Sequence, residues 1–297
     1  MAHNEETNIA ATLRAIVEGN ADTRPIIKVY ANGCTDRTHD IVEQFSQENP
    51  CVELIRITTA SKPNAWNRAF LDNDNEILIF ADADVTPSTG AVKRIVATFE
   101  KNPQAEIACC ESWPDYRGSN LQQRFTGFMQ IPVRQDFLIG HFYGIRKAAF
   151  KDHFKRLDLE GLPMGIAGDD AFIDHLVRRD RFILVDSRVL YQPPVLEDYY
   201  KYLGRIRWQN EQIQLFHDKR KDAPAIATEN GLKKLKQKMA LENGLPRLLT
   251  GSLATTLRLA FKKLKQRKIE KAYRKLGPVS NDGAWVLSEA TRSSSVK

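Results

Sequence analysis

The sequence predicts an α/β protein built on a doubly wound, mostly parallel sheet. From the start to about residue 110, apolar residues switch repeatedly between helical spacing and short continuous runs, which is the pattern of strands alternating with helices. Polar loops follow the apolar runs, as expected where strands reach the functional edge of such a sheet. A length of 297 residues and a hydrophobic content of 42% support a folded core and exclude a disordered chain.

The individual elements follow from these patterns. Short apolar runs that end in polar loops indicate strands, and apolar residues repeated every three or four positions indicate helices. In chain order they predict a helix from about residue 9 to Gly19, a strand at 26–30, a helix around 41–45, a strand at 52–57, a helix opened by Pro63 and a strand at 76–81.

Between residues 110 and 165 the pattern is less regular, and we expect a connecting region with one strand at 140–146. Beyond it, a helix follows Gly168, a strand or strand pair occupies 181–191, and a helix leads from about residue 196 to Trp208. The regular pattern therefore extends to about residue 215.

The first predicted element is a loop and helix, HNEETNIAATL, with no strand before it. Functional loops of a doubly wound sheet leave the carboxyl ends of strands, so this loop needs a strand to leave. We therefore expect the first strand to be truncated in the sequence as given, as would follow from a gene start assigned too late.

The composition favours a reducing compartment. The cysteines, Cys34, Cys51, Cys109 and Cys110, show neither CxxC spacing nor ligand-like spacing to histidines. The N-terminus lacks the basic flank and apolar core of a signal peptide, and no uncharged run reaches the ~18 apolar residues that spanning a bilayer requires. We expect a cytoplasmic protein without a membrane-spanning segment.

The basic residues are concentrated near the C-terminus. The whole chain carries a net charge of +7, whereas residues 231–275 contain 14 Lys and Arg against two acidic residues, which leaves the remainder acidic. Leucines and Phe261 recur there at helical spacing, which predicts an amphipathic basic helix. We assign residues 1–215 to a main domain and 216–297 to a basic helical extension. The extension could lie on the inner surface of a membrane, or its leucines could pack on the main domain.

Two acidic pairs are the sharpest chemical features. Asp82 and Asp84 come directly after a buried strand, where two carboxylates on a turning chain can converge on one hard cation such as Mg²⁺ or Mn²⁺. Asp169 and Asp170 stand at the start of a predicted helix, where either could act as a general base. For both pairs the structural alternative is helix capping, which uses the same residue types.

Several motifs occur together in a characteristic order. They are Asn4-Glu5-Glu6, the loop 32–38, Lys62-Pro-Asn-Ala-Trp-Asn67, Asp82-Ala-Asp84, Asp169-Asp170 and Arg207-Trp208. Together they resemble the family 2 glycosyltransferases, whose catalytic domain has the nucleotide-diphospho-sugar transferase fold of GT-A type. The resemblance extends from residue 1 to about residue 215.

The resemblance implies a role for each matching residue. Asp84, with Asp82, would coordinate Mn²⁺ or Mg²⁺, and Asp82 would also face the ribose and sugar of the donor. Asp170, with Asp169 beside it, would be the general base that deprotonates an acceptor hydroxyl for attack with inversion. The residues expected to bind the donor are Glu5, Asn32, Asp36, Lys62, Asp82, Arg207 and Trp208.

The chain departs from the family pattern at two positions. The glutamine of the family's QxxRW motif is replaced by Gly204, which, with the lack of membrane-spanning segments, favours transfer of a single sugar over polymer synthesis. Ala31 stands where many relatives have an aspartate that contacts uracil, so the base of the donor is open. His141 is a further candidate metal or acceptor group.

The combined expectation is an inverting, metal-dependent glycosyltransferase acting on a nucleotide-diphospho-sugar donor and a glycan or lipid-linked acceptor, in cell-surface polysaccharide synthesis. A sugar-nucleotide pyrophosphorylase is an alternative, but no glycine-rich basic loop for a triphosphate stands near the N-terminus. A non-catalytic basic binding protein is another. Only Phe261 and Tyr273 are aromatic between residues 231 and 275, which disfavours nucleic acid as the partner.

Overall fold

The computed structural model describes residues 1–130, 135–218 and 264–277. Helices and strands alternate through the first two of these ranges. The helices are α1 (Ile9–Gly19), α2 (Thr38–Glu48), α3 (Lys62–Leu71), α4 (Ala91–Lys101), α5 (Leu121–Gln130), α6 (Lys147–Arg156), α7 (Asp169–Leu176) and α8 (Leu196–Asp218), followed by α9 (264–274). The strands are β1 (Ile27–Asn32), β2 (Val52–Ile57), β3 (Ile77–Ala81), β4 (Val85–Pro87), β5 (Ile107–Pro114), β6 (Phe142–Arg146) and β7 (Phe182–Tyr191).

The strands form two sheets. β1 and β2 make a parallel pair, and the larger sheet has the order β3-β6-β5-β7-β4. In that sheet β5 and β7 are parallel, whereas β6 is antiparallel to both β3 and β5, and β4 is antiparallel to β7. Three of its strands, β3, β5 and β7, therefore share one direction, and their carboxyl ends lie at one edge.

The first two residues connect the sheets. Ala2 forms a parallel bridge with Ala31 of β1, and the amino group of Met1 donates to the carbonyl of Ala81, the last residue of β3, at 2.8 Å. Residues 1 and 2 thus lie along the line between β1 and β3, and the loop that follows them starts at the functional edge.

The core lies between the sheets and their helices. Trp66 of α3 is fully buried, stacks on Phe70 and Phe80, and donates from its indole nitrogen to the Tyr143 hydroxyl at 3.1 Å. A second cluster packs Ile95 and other residues of α4 against the opposite face of the sheet. Aromatic side chains of this size dominate the packing free energy, so α3 is held rigidly against β3 and β6.

The α/β class predicted from the sequence is confirmed. The predicted strand at 52–57 coincides with β2, and the others differ by one or two residues. The expectation that residues 110–165 form a mostly irregular region is wrong. That range holds most of β5, all of α5 and α6, and β6. β5 runs through the middle of the larger sheet and is buried on both faces, so it lacks the alternation that marks a half-exposed strand.

Of the described C-terminal residues, those of α9 contact α8. This helix extends to Asp218, past the boundary predicted at residue 215, and α9 packs across it. The apolar stripe was predicted at Leu249, Leu253, Leu257, Phe261 and Leu264. Its first four members lie outside the described residues, and Leu264 is exposed at the start of α9 and lines a cavity. Among the described helices, none is long and apolar enough to cross a membrane.

Gly144, in the middle of β6, allows α4 to pack closely on the sheet. A β-carbon at this position would come within 2.6 Å of Ile95 Cγ2 and 2.9 Å of Phe99 Cε2. We expect Gly144→Ala to reduce the free energy of unfolding by about 1–3 kcal/mol, because the added methyl group overpacks a tight core. Urea denaturation measures the change.

Gly19→Ala is the matched control for Gly144→Ala. Gly19 ends α1, and a β-carbon there would be 3.4 Å from the nearest atom, an ordinary contact. Alanine exceeds glycine in helix propensity by up to about 1 kcal/mol, so this substitution should be neutral or stabilising. Equal destabilisation by both substitutions would contradict the packing assigned to β6 and α4.

Candidate active site

A cavity of about 1250 Å³ opens at the edge of the larger sheet where β3 ends. Its floor is acidic and is formed by residues that follow β3 and begin α7, and its long wall is formed by α8 and α9. Six of the candidate residues from the sequence line it together: Lys62, Asp82, Asp84, His141, Asp169 and Asp170. Residues more than 80 positions apart in the chain therefore meet in one site.

Lys62 is the centre of this floor. Ser61 caps α3, and its side chain accepts a hydrogen bond from the Asn64 backbone nitrogen, which places Lys62 in the first turn of the helix. The Lys62 ammonium lies 2.9 Å from Asp82 Oδ1 and 3.4 Å from Asp169 Oδ1. One cation thus joins the end of β3 to the start of α7.

The pKa values of the two main partners reflect this arrangement. Burial alone would lower the pKa of Lys62, but the carboxylates of Asp169, Asp82 and Asp170 outweigh it and raise the pKa. Burial alone would raise the pKa of Asp82, whereas Lys62 and His141 lower it below the ordinary value. Both groups are therefore charged at neutral pH, and the contact between them is an ion pair.

Asp84 differs from Asp82, although only Ala83 separates them. Its side chain is exposed to the cavity and has no basic partner within salt-bridge distance among the described residues. The surrounding protein displaces bulk solvent, which raises the pKa of Asp84, and the neighbouring Asp82 carboxylate raises it further. A carboxylate in this position gains from a nearby cation.

Asp169 and Asp170 begin α7 under close packing. Gly140 makes room for Asp170, since a β-carbon on Gly140 would lie 2.9 Å from Asp170 Cβ. Asp169 is buried; its Oδ1 faces Lys62, and its Oδ2 has no hydrogen-bond partner among the described residues. Burial raises the pKa of Asp169, and Lys62 acts in the opposite direction. Asp170 is half-buried and lines the same cavity.

In the N-terminal loops, side chains that were predicted to bind the sugar donor form hydrogen bonds with the backbone instead. Asn32 is buried, accepts from the Ser61 nitrogen at 3.0 Å and donates to the Ala2 carbonyl at 2.8 Å. Asp36 accepts from the backbone nitrogen of Thr38 and, through its other oxygen, from that of Glu6, both at 3.0 Å. These contacts fix the loops that follow β1 and residue 2, and neither side chain lines the cavity.

Glu5 lies in the loop that these contacts fix. Its carboxylate accepts from the Asn8 side chain at 2.9 Å, and its backbone nitrogen donates to Thr38 Oγ1 at 2.8 Å. Burial raises the pKa of Glu5 to about 7, and the Asp84 and Asp82 carboxylates act in the same direction. Glu5 is thus electrostatically coupled to the acidic pair without lining the cavity.

His141 lies beside the acidic pair because β6 is paired with β3. Its carbonyl accepts from the Asp82 nitrogen at 3.0 Å, its Nδ1 lies 3.1 Å from Ser112 Oγ, and its ring packs on Tyr191 at 4.7 Å between centroids. The roles of Ser112 and Tyr191 as lining residues were not predicted. Strand pairing places them here, and no local sequence signal indicates that pairing.

Arg207 and Trp208 lie on the side of α8 that faces α9 and do not line the cavity. Arg207 pairs with Glu270 at 2.6 Å and lies over the ring of Tyr273 at 4.2 Å. Trp208 is buried, and its indole nitrogen donates to the Gly277 carbonyl at 3.1 Å. The two residues that the resemblance assigns to the donor thus anchor the C-terminal helix.

Gly204 explains how α9 can approach so closely. A β-carbon at this position would lie 2.9 Å from Ala272 Cβ and 2.9 Å from the Tyr273 backbone nitrogen. The glutamine that the family motif carries here would not fit. With glycine at this position, α9 packs on this face of α8 and occupies the space that the glutamine side chain would fill.

The acidic pair fits a divalent cation only in part. Asp82 and Asp84 offer carboxylate oxygens of the kind that Mg²⁺ and Mn²⁺ prefer, and these ions commonly keep waters and substrate phosphates in their shell. No group of three or more His, Cys, Asp or Glu among the described residues forms a complete metal site. The residues therefore fit a cation that is shared with a phosphorylated ligand.

Gly204→Gln tests the contact between α8 and α9. We expect the longer side chain to displace α9, so that amide hydrogen exchange across residues 264–276 becomes at least about tenfold faster, as expected when a packed element opens locally. Mass spectrometry of peptides measures the rates. Glu197→Gln, at an exposed position in the first turn of the same helix, should leave them unchanged. Unaltered exchange in Gly204→Gln would contradict the close contact.

The comparisons with known proteins agree with this geometry. The sequence profile described as Glycosyl transferase family 2 matches residues 1–154. The Bacillus subtilis (strain 168) protein YdaM, described as a probable glycosyltransferase, is 35% identical over 101 residues, which are 32% of this chain and 24% of YdaM. The match thus spans about a quarter of the length of that curated relative.

Solved structures support the same fold. The mannosyltransferase PcManGT of Pyrobaculum calidifontis is 18% identical, with a TM-score of 0.57 over 91% of this chain and 81% of that one. At this identity the likeness concerns the fold. The family match extends over more than half of the chain, from the first loop through β6 and into α6, and includes the Lys62 and Asp82-Ala-Asp84 motifs. The chain belongs to glycosyl transferase family 2.

Proposed function

We propose that the protein is a metal-dependent, inverting glycosyltransferase that moves a single sugar from a nucleotide-diphospho-sugar to a hydroxyl group of a glycan or lipid-linked acceptor. The ion pair of Lys62 with Asp82 and Asp169 carries the proposal, because it brings the donor motif and the acidic pair of α7 to one cavity. Family membership and the combined acidic floor support it. A role in cell-surface polysaccharide synthesis is part of the same proposal.

The donor half of the site is assigned to Asp82, Asp84 and Lys62. Asp84 and Asp82 would hold Mn²⁺ or Mg²⁺, and the bound cation would neutralise the donor diphosphate as the nucleoside diphosphate leaves. PcManGT is described in complex with GDP-Man and Mn²⁺, which supports a cation of this kind. Lys62 keeps Asp82 ionised and in place, and Glu5, Asn32 and Asp36 support the surrounding loops.

Asp170 is assigned as the general base. It lines the cavity at the N-terminal end of α7, whereas Asp169 is buried and engaged with Lys62. In the reaction, the Asp170 carboxylate takes the proton of the acceptor hydroxyl, whose oxygen forms a bond to the anomeric carbon. The bond from that carbon to the diphosphate oxygen breaks on the opposite face, so the configuration inverts and a nucleoside diphosphate departs.

Asp84→Ala tests the donor assignment. A panel of GDP- and UDP-sugars with Mn²⁺ is screened by thermal shift, since a ligand at 100 times its Kd stabilises by about 2.7 kcal/mol. We expect one donor to stabilise the wild-type protein only with Mn²⁺, and Asp84→Ala to lose this effect. Asp152→Ala, at an exposed position on α6, is the control. Full stabilisation of Asp84→Ala would refute the metal assignment.

Asp170→Asn tests whether Asp170 acts as the general base or binds the donor. Loss of a general base lowers a rate by about 10²–10⁴-fold, so nucleoside diphosphate release should fall by that factor while the donor Kd stays within about threefold of the wild-type value. Release is measured with the donor identified by the screen, and Asp152→Asn serves as the control. Loss of donor binding in Asp170→Asn would instead make the residue part of the donor site.

A further inference from the structure

The long wall of the cavity is basic, in contrast to its floor. Lys268, Lys271 and Lys275 of α9 and its C-terminal turn line the cavity, together with Lys201 and Arg205 of α8. On α9 the positions i, i+3 and i+7 lie on one helical face, so the three lysines form a stripe about 10 Å long. We call the surface formed by Arg205, Lys268, Lys271 and Lys275 the basic wall.

The acidic residues of the lining do not pair with Arg205, Lys268 or Lys271. Glu197 and Asp198 pair with Lys201 at 3.5 and 2.9 Å. Arg205, Lys268 and Lys271 are exposed and form no ion pair with any residue that the structure describes. Lys268 and Lys271 also differ from Glu270 and Tyr273, which face α8 and hold the helix in place. The basic wall therefore contains cationic side chains that form no ion pair with the described residues.

The orientation of α9 places the stripe relative to the acidic floor. Trp208 binds the carbonyl of Gly277, and the next residue, Gln209, packs against Gly168 just before the acidic pair of α7. Ile269, by contrast, packs near Tyr199 and Leu203, toward the start of α8. The stripe thus begins near the proposed base and extends away from it, along tyrosines that also line the cavity.

We propose that the basic wall binds a phosphoryl group of the acceptor. This inference rests on the proposed function, since it names the class of acceptor for the same site. The floor residues Asp82 and Asp84, with a cation, account for the diphosphate of the donor. A second anion would match Lys268 and Lys271, which line the cavity farther from the base than the C-terminal end of α9. The acceptor is therefore a phosphorylated molecule whose reacting hydroxyl reaches Asp170 while its phosphoryl group contacts Lys268 and Lys271.

The phosphoryl group could belong to a lipid headgroup or to a soluble phosphate ester, and both share the chemistry that the basic wall recognises. Two probes separate the sources. Glycerol 3-phosphate is a soluble phosphate monoester, and phosphatidylcholine vesicles with or without phosphatidic acid present the same group on a lipid surface. Binding of each is measured by calorimetry and by vesicle cosedimentation, with and without a saturating nucleoside diphosphate and Mn²⁺.

The test variant is Lys268→Gln combined with Lys271→Gln. The matched control is Lys151→Gln with Lys155→Gln, which removes the same charge from exposed positions on α6, outside the cavity. The two substitutions remove charged donors of hydrogen bonds to the phosphoryl group, so we expect the test variant to bind at least one probe at least about tenfold more weakly. The control should stay within about twofold, and binding of nucleoside diphosphate with Mn²⁺ should not change. Hydrogen exchange of residues 264–276 verifies that α9 stays in place.

Each outcome decides the question. Loss of glycerol 3-phosphate binding alone supports a soluble acceptor, and loss of phosphatidic acid binding supports a lipid-linked one. The proposal is overturned if neither probe binds the wild-type protein, if the control loses as much as the test variant, or if the test variant loses nucleoside diphosphate, which would assign the basic wall to the donor. Probe binding without any donor binding would contradict the proposed function and leave the anion site standing.

Discussion

The ion pair network of Lys62 is the interaction on which the site depends. Four carboxylates, Asp82, Asp84, Asp169 and Asp170, line one floor, and two unit charges 4 Å apart interact by about 4 kcal/mol at an effective dielectric constant near 20. Lys62 offsets part of this repulsion by contacting one carboxylate from each pair. Its position is fixed in turn by Ser61 at the start of α3 and by the packing of Trp66 on the sheet. The packing of the core therefore fixes the position of Lys62 among the carboxylates of the site.

The same network leaves the floor with an excess of negative charge. Lys62 forms ion pairs with Asp82 and Asp169, whereas Asp84 has no basic partner within salt-bridge distance among the described residues. Such a surface repels an anion, and a bound cation would reduce this repulsion. Displacement of bulk solvent and the neighbouring Asp82 carboxylate both raise the pKa of Asp84, so its ionised form gains from a nearby cation. The arrangement of the protein's own charges thus favours a cation at this floor.

Much of the floor could be predicted from the sequence, whereas the wall could not. Lys62, Asp82 and Asp170 stand directly at the ends of elements whose apolar patterns are clear, so their placement follows from local rules. The role of α8 depends on which face each residue occupies. Gly204, Arg207 and Trp208 recur at i, i+3 and i+4 and face α9, while Tyr199, Ile206 and Gln209 lie on the face toward the cavity. Motif spacing identifies the helix, but only the packing of α9 shows that the Arg-Trp pair is turned away from the site.

The elements β5, α5 and α6 were not predicted from the sequence, for a related reason. A strand buried on both faces has no alternation, and α5 and α6 contain many polar residues, so neither pattern stands out from that of a loop. Ser112 at the end of β5 was consequently placed in the site only by strand pairing, whereas His141, just before β6, was already a candidate from the sequence. Long-range pairing of this kind is not encoded in any short window of sequence.

The structure shows where the charged residues lie, which the net charge of the whole chain does not. A value of +7 describes neither the acidic floor nor the basic wall, which line the same cavity. A cavity with two such sides favours a pair of substrates that are held by different means, one through a cation on carboxylates and the other directly by lysines. Because a direct contact to lysine weakens with salt while a shared cation persists, the two substrates would also respond differently to ionic strength. The contact of α9 with α8, made through Gly204 and Arg207, is what places the lysines of α9 at the same cavity as Lys62 and the acidic residues.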